Sequence, residues 1–242
     1  MKQKTVYALL AFALLLTAGC ADRDTVLPDG LIVRSGEYLP DMKDRFVYPV
    51  GMSGLDFSRP DEEEVKTLSS YALIRSVMDK PGLSVLLGVS SSSAPIAQAS
   101  RVFFGHNSVP AFEKRDDRVK ALTSYFAAFD AGRYTSLDAG GQMDFLARLQ
   151  VLEVWFLRDA ILYSMDAEQK KEAVSLVLKK HRQMQWYSDT SGAAMMGMMY
   201  AGGYPPVVAY FKEKGISSIA SFEISGIRTA DLVVPFAESY TR

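Results

Sequence analysis

The run Val154-Trp155-Phe156-Leu157 most constrains what this chain folds into. It lies inside a segment, Gln142 to Met165, whose residue pattern reads as one helix. At its centre that helix is apolar on every side, so it has no face to give to water. A bilayer does not solve the problem. Arg148, Glu153, Arg158 and Asp159 interrupt the segment, and charges at that density are not accommodated in hydrocarbon. The segment must be enclosed by other parts of the same chain, as the central helix of a packed domain.

The rest of the chain supplies candidate neighbours. From Ser58 a cap, Pro60 and the acidic run Asp61-Glu62-Glu63-Glu64 open a helix carrying Val65, Leu68, Ala72, Val77 and Met78, and Pro81-Gly82 stops it. The acidic run reads as a solvated first turn at the positive end of the helix dipole. Leu83 to Val89 reads as a buried strand or a short helix, and Ser93 with Pro95 opens a helix through Phe104. A helix from about Ala111 to Ala131 places Val119, Leu122, Phe126 and Phe129 on one stripe, with Gly132 as its stop. Asp166 and Gln169 have capping-box spacing, opening a helix to about Tyr187 with Val174, Val177, His181 and Met184 on one stripe. A Met-rich segment at 192–203 follows, then a proline-started helix at 205–214 ended by Gly215. Leu31-Ile32-Val33, Phe46-Val47-Tyr48, Phe222 with Ile224, and Leu232 to Val234 read as short strands or extended pieces. The fold expected is mainly α, a single compact multi-helix domain over 58–242 with a few short peripheral strands. Residues 20–57, with Pro28, Pro40 and Pro49, read as a tether and irregular lead-in.

The first residues have a different logic. Lys2 and Lys4 make a basic start, an uncharged Leu- and Ala-rich run follows from Thr5 to Ala21, and Ala18-Gly19 precedes Cys20. The run is short for a membrane span, which needs about 20 apolar residues, and its parts are those of a signal peptide. Leu16-Thr17-Ala18-Gly19-Cys20 resembles the lipobox of bacterial lipoproteins. Thr17 stands where that family usually carries an aliphatic residue, with Leu16 one place earlier. The resemblance implies that residues 1–19 are a signal peptide and that Cys20 is diacylated and becomes the new N-terminus. The partner it implies is a membrane, reached through the N-terminal lipid. Ala21, rather than Asp, after the cysteine implies the outer membrane of the bacterial envelope under the sorting rules of such lipoproteins. Loss of 1–19 removes two lysines and no acid, taking the net charge from −1 to −3 over the remaining 223 residues.

Composition narrows the chemistry. One cysteine and two histidines exclude a disulfide framework, a multi-cysteine metal site and a His-rich centre. Lys+Arg 27 against Asp+Glu 28 gives no charge excess for nucleic acid. HExxH, GxGxxG, GxxxxGK[ST] and GxSxG spacings are missing from the sequence, and no cofactor or metal is expected.

Five residues are carried forward as a candidate binding surface. Met195, Met196, Met198 and Met199 fall within five positions, and His181 lies in the basic run Lys179-Lys180-His181-Arg182. Methionine is an adaptable core filler, a plastic hydrophobic surface and a soft Cu(I) ligand, and the sequence leaves all three open. The basic run reads as a solvated helix end or as a site for phospholipid head groups or an acidic partner. His106, between Gly105 and Asn107, reads as an exposed turn with a capping or surface role. The function expected is a lipid-anchored envelope protein that binds an envelope protein or a hydrophobic ligand. A periplasmic hydrolase with a site assembled from distant residues is the alternative, and Cu(I) binding through the Met-rich segment the second alternative.

Overall fold

A computed structural model describes residues 60–80, 105–184, 189–217 and 229–242, the isolated residues 46, 48, 83, 100, 102 and 103, and the backbone of three strands before residue 40. The calls on residues 1–19, Ser58, Pro81-Gly82, Ser93, Pro95, Phe222 and Ile224 lie outside the described residues. Strands β1 (Thr25–Val26), β2 (Ile32–Arg34) and β3 (Glu37–Leu39) pair antiparallel in that order. Among the described residues everything else regular is helical, and none of the helices is long and apolar enough to cross a membrane.

The helix expected to run unbroken from the acidic segment is two. These are α1 (Glu64–Thr67) and α2 (Ser70–Met78). Asp61 and Glu64 form a reciprocal box at the start of α1. Asp61 Oδ1 accepts from the Glu63 and Glu64 amides, and Glu64 Oε2 returns the bond to the Asp61 amide at 2.8 Å. The break at Leu68 has two supports. Ser69 Oγ accepts from the Ala72 amide to start α2, and Arg115 Nη2 donates to the Leu68 carbonyl at 2.7 Å. The helix read from 111 to 131 is likewise split, into α3 (Ser108–Glu113) and α4 (Arg118–Ala128), with a 3-10 helix over Ala131–Ser136. Its stripe holds: Val119, Leu122, Phe126 and Phe129 are all buried.

Helix α5 (Ala139–Trp155) starts at Asp138, whose Oδ1 accepts from the Gly141 amide. The apolar run at its end is enclosed as required, with Val154, Trp155, Phe156 and Leu157 buried. It stops ten residues short of the expected Met165, because Arg158 turns extended to open α6 (Asp159–Leu162). There Arg158 pairs with Glu113 and lies over the Phe103 ring. Helix α7 (Ala167–Met184) begins at the expected box, Gln169 amide to Asp166 Oδ1 at 2.8 Å and Asp166 amide to Gln169 Oε1 at 3.0 Å.

Helices α8 (Asp189–Ala201) and α9 (Pro205–Glu213) follow. Both end on glycines with positive φ, Gly203 at 70° and Gly215 at 66°. Each lets the next amide reach back to a carbonyl of the last turn, Tyr204 to Met199 and Ile216 to Phe211. Leu232 to Val234 are not a strand but part of α10 (Thr229–Tyr240). Val-Val before Pro235 disfavours helix locally. Docking of Val233, Ala237 and Tyr240, buried at helical spacing, outweighs it. Helix α8 packs against α5, α7, α9 and α10, so the Met-rich segment shares the centre of the fold with the end of α5.

Candidate functional site

The methionines are the first point of correction. Met195, Met196, Met198 and Met199 are all fully buried in the core. With His181, also fully buried, they line the inside of the molecule and present no surface. Gly197 between them and Ala193 and Ala194 before them let neighbouring helices approach α8 closely, and unbranched thioethers fill the gaps that remain. Among the described residues no group of three or more His, Cys, Asp or Glu side chains is placed to hold a metal ion.

His181 is part of a polar node that sequence spacing did not reveal. Its Nε2 lies 2.6 Å from Glu153 Oε1 of α5 and 2.7 Å from Ser191 Oγ of α8. Ser191 Oγ donates to the other oxygen, Glu153 Oε2, at 3.0 Å. All three side chains are fully enclosed. The residue types are those of a nucleophile–base–acid set, but the arrangement is different. Such a relay puts the serine on one ring nitrogen and the acid on the other. Here both lie nearest Nε2, and Ser191 Oγ is 3.5 Å from Nδ1. Ser191 Oγ gives its proton to Glu153 Oε2, so carboxylate, ring and hydroxyl close into one enclosed triangle. The node is a three-way clasp between α5, α7 and α8.

Lys180, beside His181, also turns inward. Its Nζ donates to the Phe129 carbonyl and, at 3.2 Å, to that of Ala127, and it sits 5.1 Å from the Phe126 ring centroid. It thereby satisfies carbonyls left open at the end of α4. Burial holds its ammonium down at about 8, against an ordinary lysine value of 10.5. The unfolded chain therefore binds this proton more tightly, and stability rises as pH climbs from about 8 toward 10.5. Comparing the chain with Lys180→Met by guanidinium unfolding isolates the effect. The stability difference in favour of lysine should grow by about 2 kcal/mol between pH 8 and 10, and a flat difference would place the titration elsewhere.

His106 is not in an exposed turn. It is buried, and its Nε2 lies 3.0 Å from Tyr48 Oη. That hydroxyl donates to the Ser76 carbonyl at 2.7 Å, so His106 Nε2 is the donor to Tyr48. Burial, with the Asp79 carboxylate, pushes the Tyr48 hydroxyl above its ordinary value. Tyr48 thus docks the lead-in on α2. The acidic residues Asp61 to Glu64 are exposed, as a solvated turn should be.

Three concave surfaces among the described residues lie elsewhere. A groove of roughly 750 Å³ between α7 and α10 is lined by Ser175, Lys179, Arg182, Gln183, Glu238 and Arg242, among others. A second, of roughly 530 Å³, runs beside α1 and α3 between Lys66 and Lys114. A small one, of roughly 140 Å³, lies between Phe129 and Arg148. None of these three is lined by His181, Ser191, Glu153 or the methionines. No protein family matches this chain, and no curated protein or solved structure is similar to it. The reading of function therefore rests on the residues alone. The basic run 179–182 is divided by the fold, with Lys180 and His181 in the core and Lys179 and Arg182 on the groove.

Proposed function

We propose that this chain is a lipoprotein of the bacterial envelope, held in the outer membrane through acylated Cys20, that acts by binding. The observation that carries the reading is the order of the first twenty residues. A basic start, an uncharged run and Ala18-Gly19 lead to a cysteine that is the only one in the chain. Two or three acyl chains make a firm anchor, at about 0.8 kcal/mol per buried CH₂. What supports binding over nucleophilic catalysis is that the Ser–His–Glu set is fully enclosed and lines none of the three grooves described above. The three described grooves are open and lined by cations together with acidic, amide and apolar side chains.

Expression of the full chain with Cys20→Ala tests the reading. The substituted chain should keep residues 1–19 and leave the outer-membrane fraction for another. Unchanged processing and fractionation would overturn the anchor. A fluorophosphonate probe should leave the native chain unlabelled, and labelling at Ser191 would return the hydrolase reading to first place.

A further inference from the structure

We propose that the groove between α7 and α10 is an anion site that takes the phosphate head group of an anionic phospholipid. The inference rests on the Cys20 anchor and deepens it. Ser175, Lys179, Arg182 and Gln183 follow one another along the exposed side of α7 at helical spacing, a single stripe of hydrogen-bond donors. Arg242 faces them across the groove from the end of α10. Three cationic side chains meet one acidic side chain, Glu238, which is paired with Arg182. Lys179 and Arg242 have no ion-pair partner among the described residues. Helix C-termini draw cations singly, which accounts for a lysine or arginine on either helix. It does not account for the convergence of three from two helices on one concavity.

The chemistry of the donors selects the ligand. A planar guanidinium matches two phosphate oxygens at once, and a lysine ammonium adds a compact point charge. The anchor selects the source. Cys20 lies 28 positions before Tyr48, where the lead-in docks, so the body stays within about 100 Å of its own leaflet at full extension. Head groups there are at high effective concentration, and an anionic leaflet attracts basic surface.

The test uses the acylated full-length product reconstituted in vesicles, with a neutral amine-reactive ester as reagent. The rate at Lys179 is read by peptide mass spectrometry against Lys120, an exposed lysine on α4. In vesicles of phosphatidylglycerol and phosphatidylcholine, Lys179 should react about tenfold more slowly relative to Lys120 than in pure phosphatidylcholine. Arg242→Gln should remove most of that protection. Equal rates in the two vesicles overturn the site. Equal protection by inorganic phosphate over phosphatidylcholine overturns the lipid source, and stronger protection by an acidic peptide overturns it in favour of a protein partner. A chain that fails to float with vesicles at all overturns the anchor instead, a result separate from the reactivity ratio.

Discussion

Glu153→Ala should cost about 3–5 kcal/mol of folding stability, one of the two largest single-site losses expected in this protein. The carboxylate accepts from His181 Nε2 at 2.6 Å and from Ser191 Oγ at 3.0 Å, and water reaches none of the three. Its removal leaves a ring and a hydroxyl enclosed together without their shared acceptor, and each such buried group costs about 1–3 kcal/mol. A cavity at the meeting of α5, α7 and α8 adds to the loss. Glu153→Gln keeps the volume and one acceptor oxygen, so its cost should be smaller, about 1–3 kcal/mol. Replacing all three residues by apolar ones of similar volume should recover much of the loss, because a buried charge cluster competes poorly with good packing. Guanidinium unfolding of the three variants gives the order. A cost below about 1 kcal/mol for Glu153→Ala would show that the clasp contributes little.

Features set by a few neighbouring residues were legible in the sequence. The Asp166–Gln169 box, the stop at Gly215 and the stripe Val119–Leu122–Phe126–Phe129 are all short-range signals, and all are in the fold. The enclosure of Val154 to Leu157 followed from apolarity alone. What could not be read depends on residues far apart in the chain. The break at Leu68 is held by Arg115, 47 positions on, and α10 persists through Val234-Pro235 because α8 gives it a partner. The clasp escaped for the same reason. Glu153 and Ser191 lie 28 and 10 positions from His181, at spacings that match no single helix face. One signal was available. Lys180 follows Val177 by three and precedes Met184 by four, placing it beside the apolar stripe, with charge alone suggesting solvent. The candidate site was legible as a basic run and not as a groove, because α4, α5 and α8 draw Lys180 and His181 into the core while α10 packs on α7 beside Lys179 and Arg182.

Trp155→Ala should match Glu153→Ala in size, at about 3–5 kcal/mol, for a different reason. The indole is fully buried at the end of α5, with ring centroids 5.1 Å from Phe103 and 5.0 Å from Phe112. Truncation empties a site walled by aromatic rings from two separate segments, which cannot both close on it. The informative comparison is Trp155→Phe. Among the described residues Nε1 has no hydrogen-bond acceptor, so the native indole already carries the desolvation cost of an unpaired donor, about 1–3 kcal/mol. Phenylalanine gives up part of the contact area but removes that donor, and the two changes offset. Trp155→Phe should therefore cost no more than about 1 kcal/mol, well under the loss for alanine. Urea midpoints for the two variants measure the ratio. If phenylalanine costs as much as alanine, the indole N–H is held by a partner, and the enclosure of α5 rests on a hydrogen bond as well as on packing.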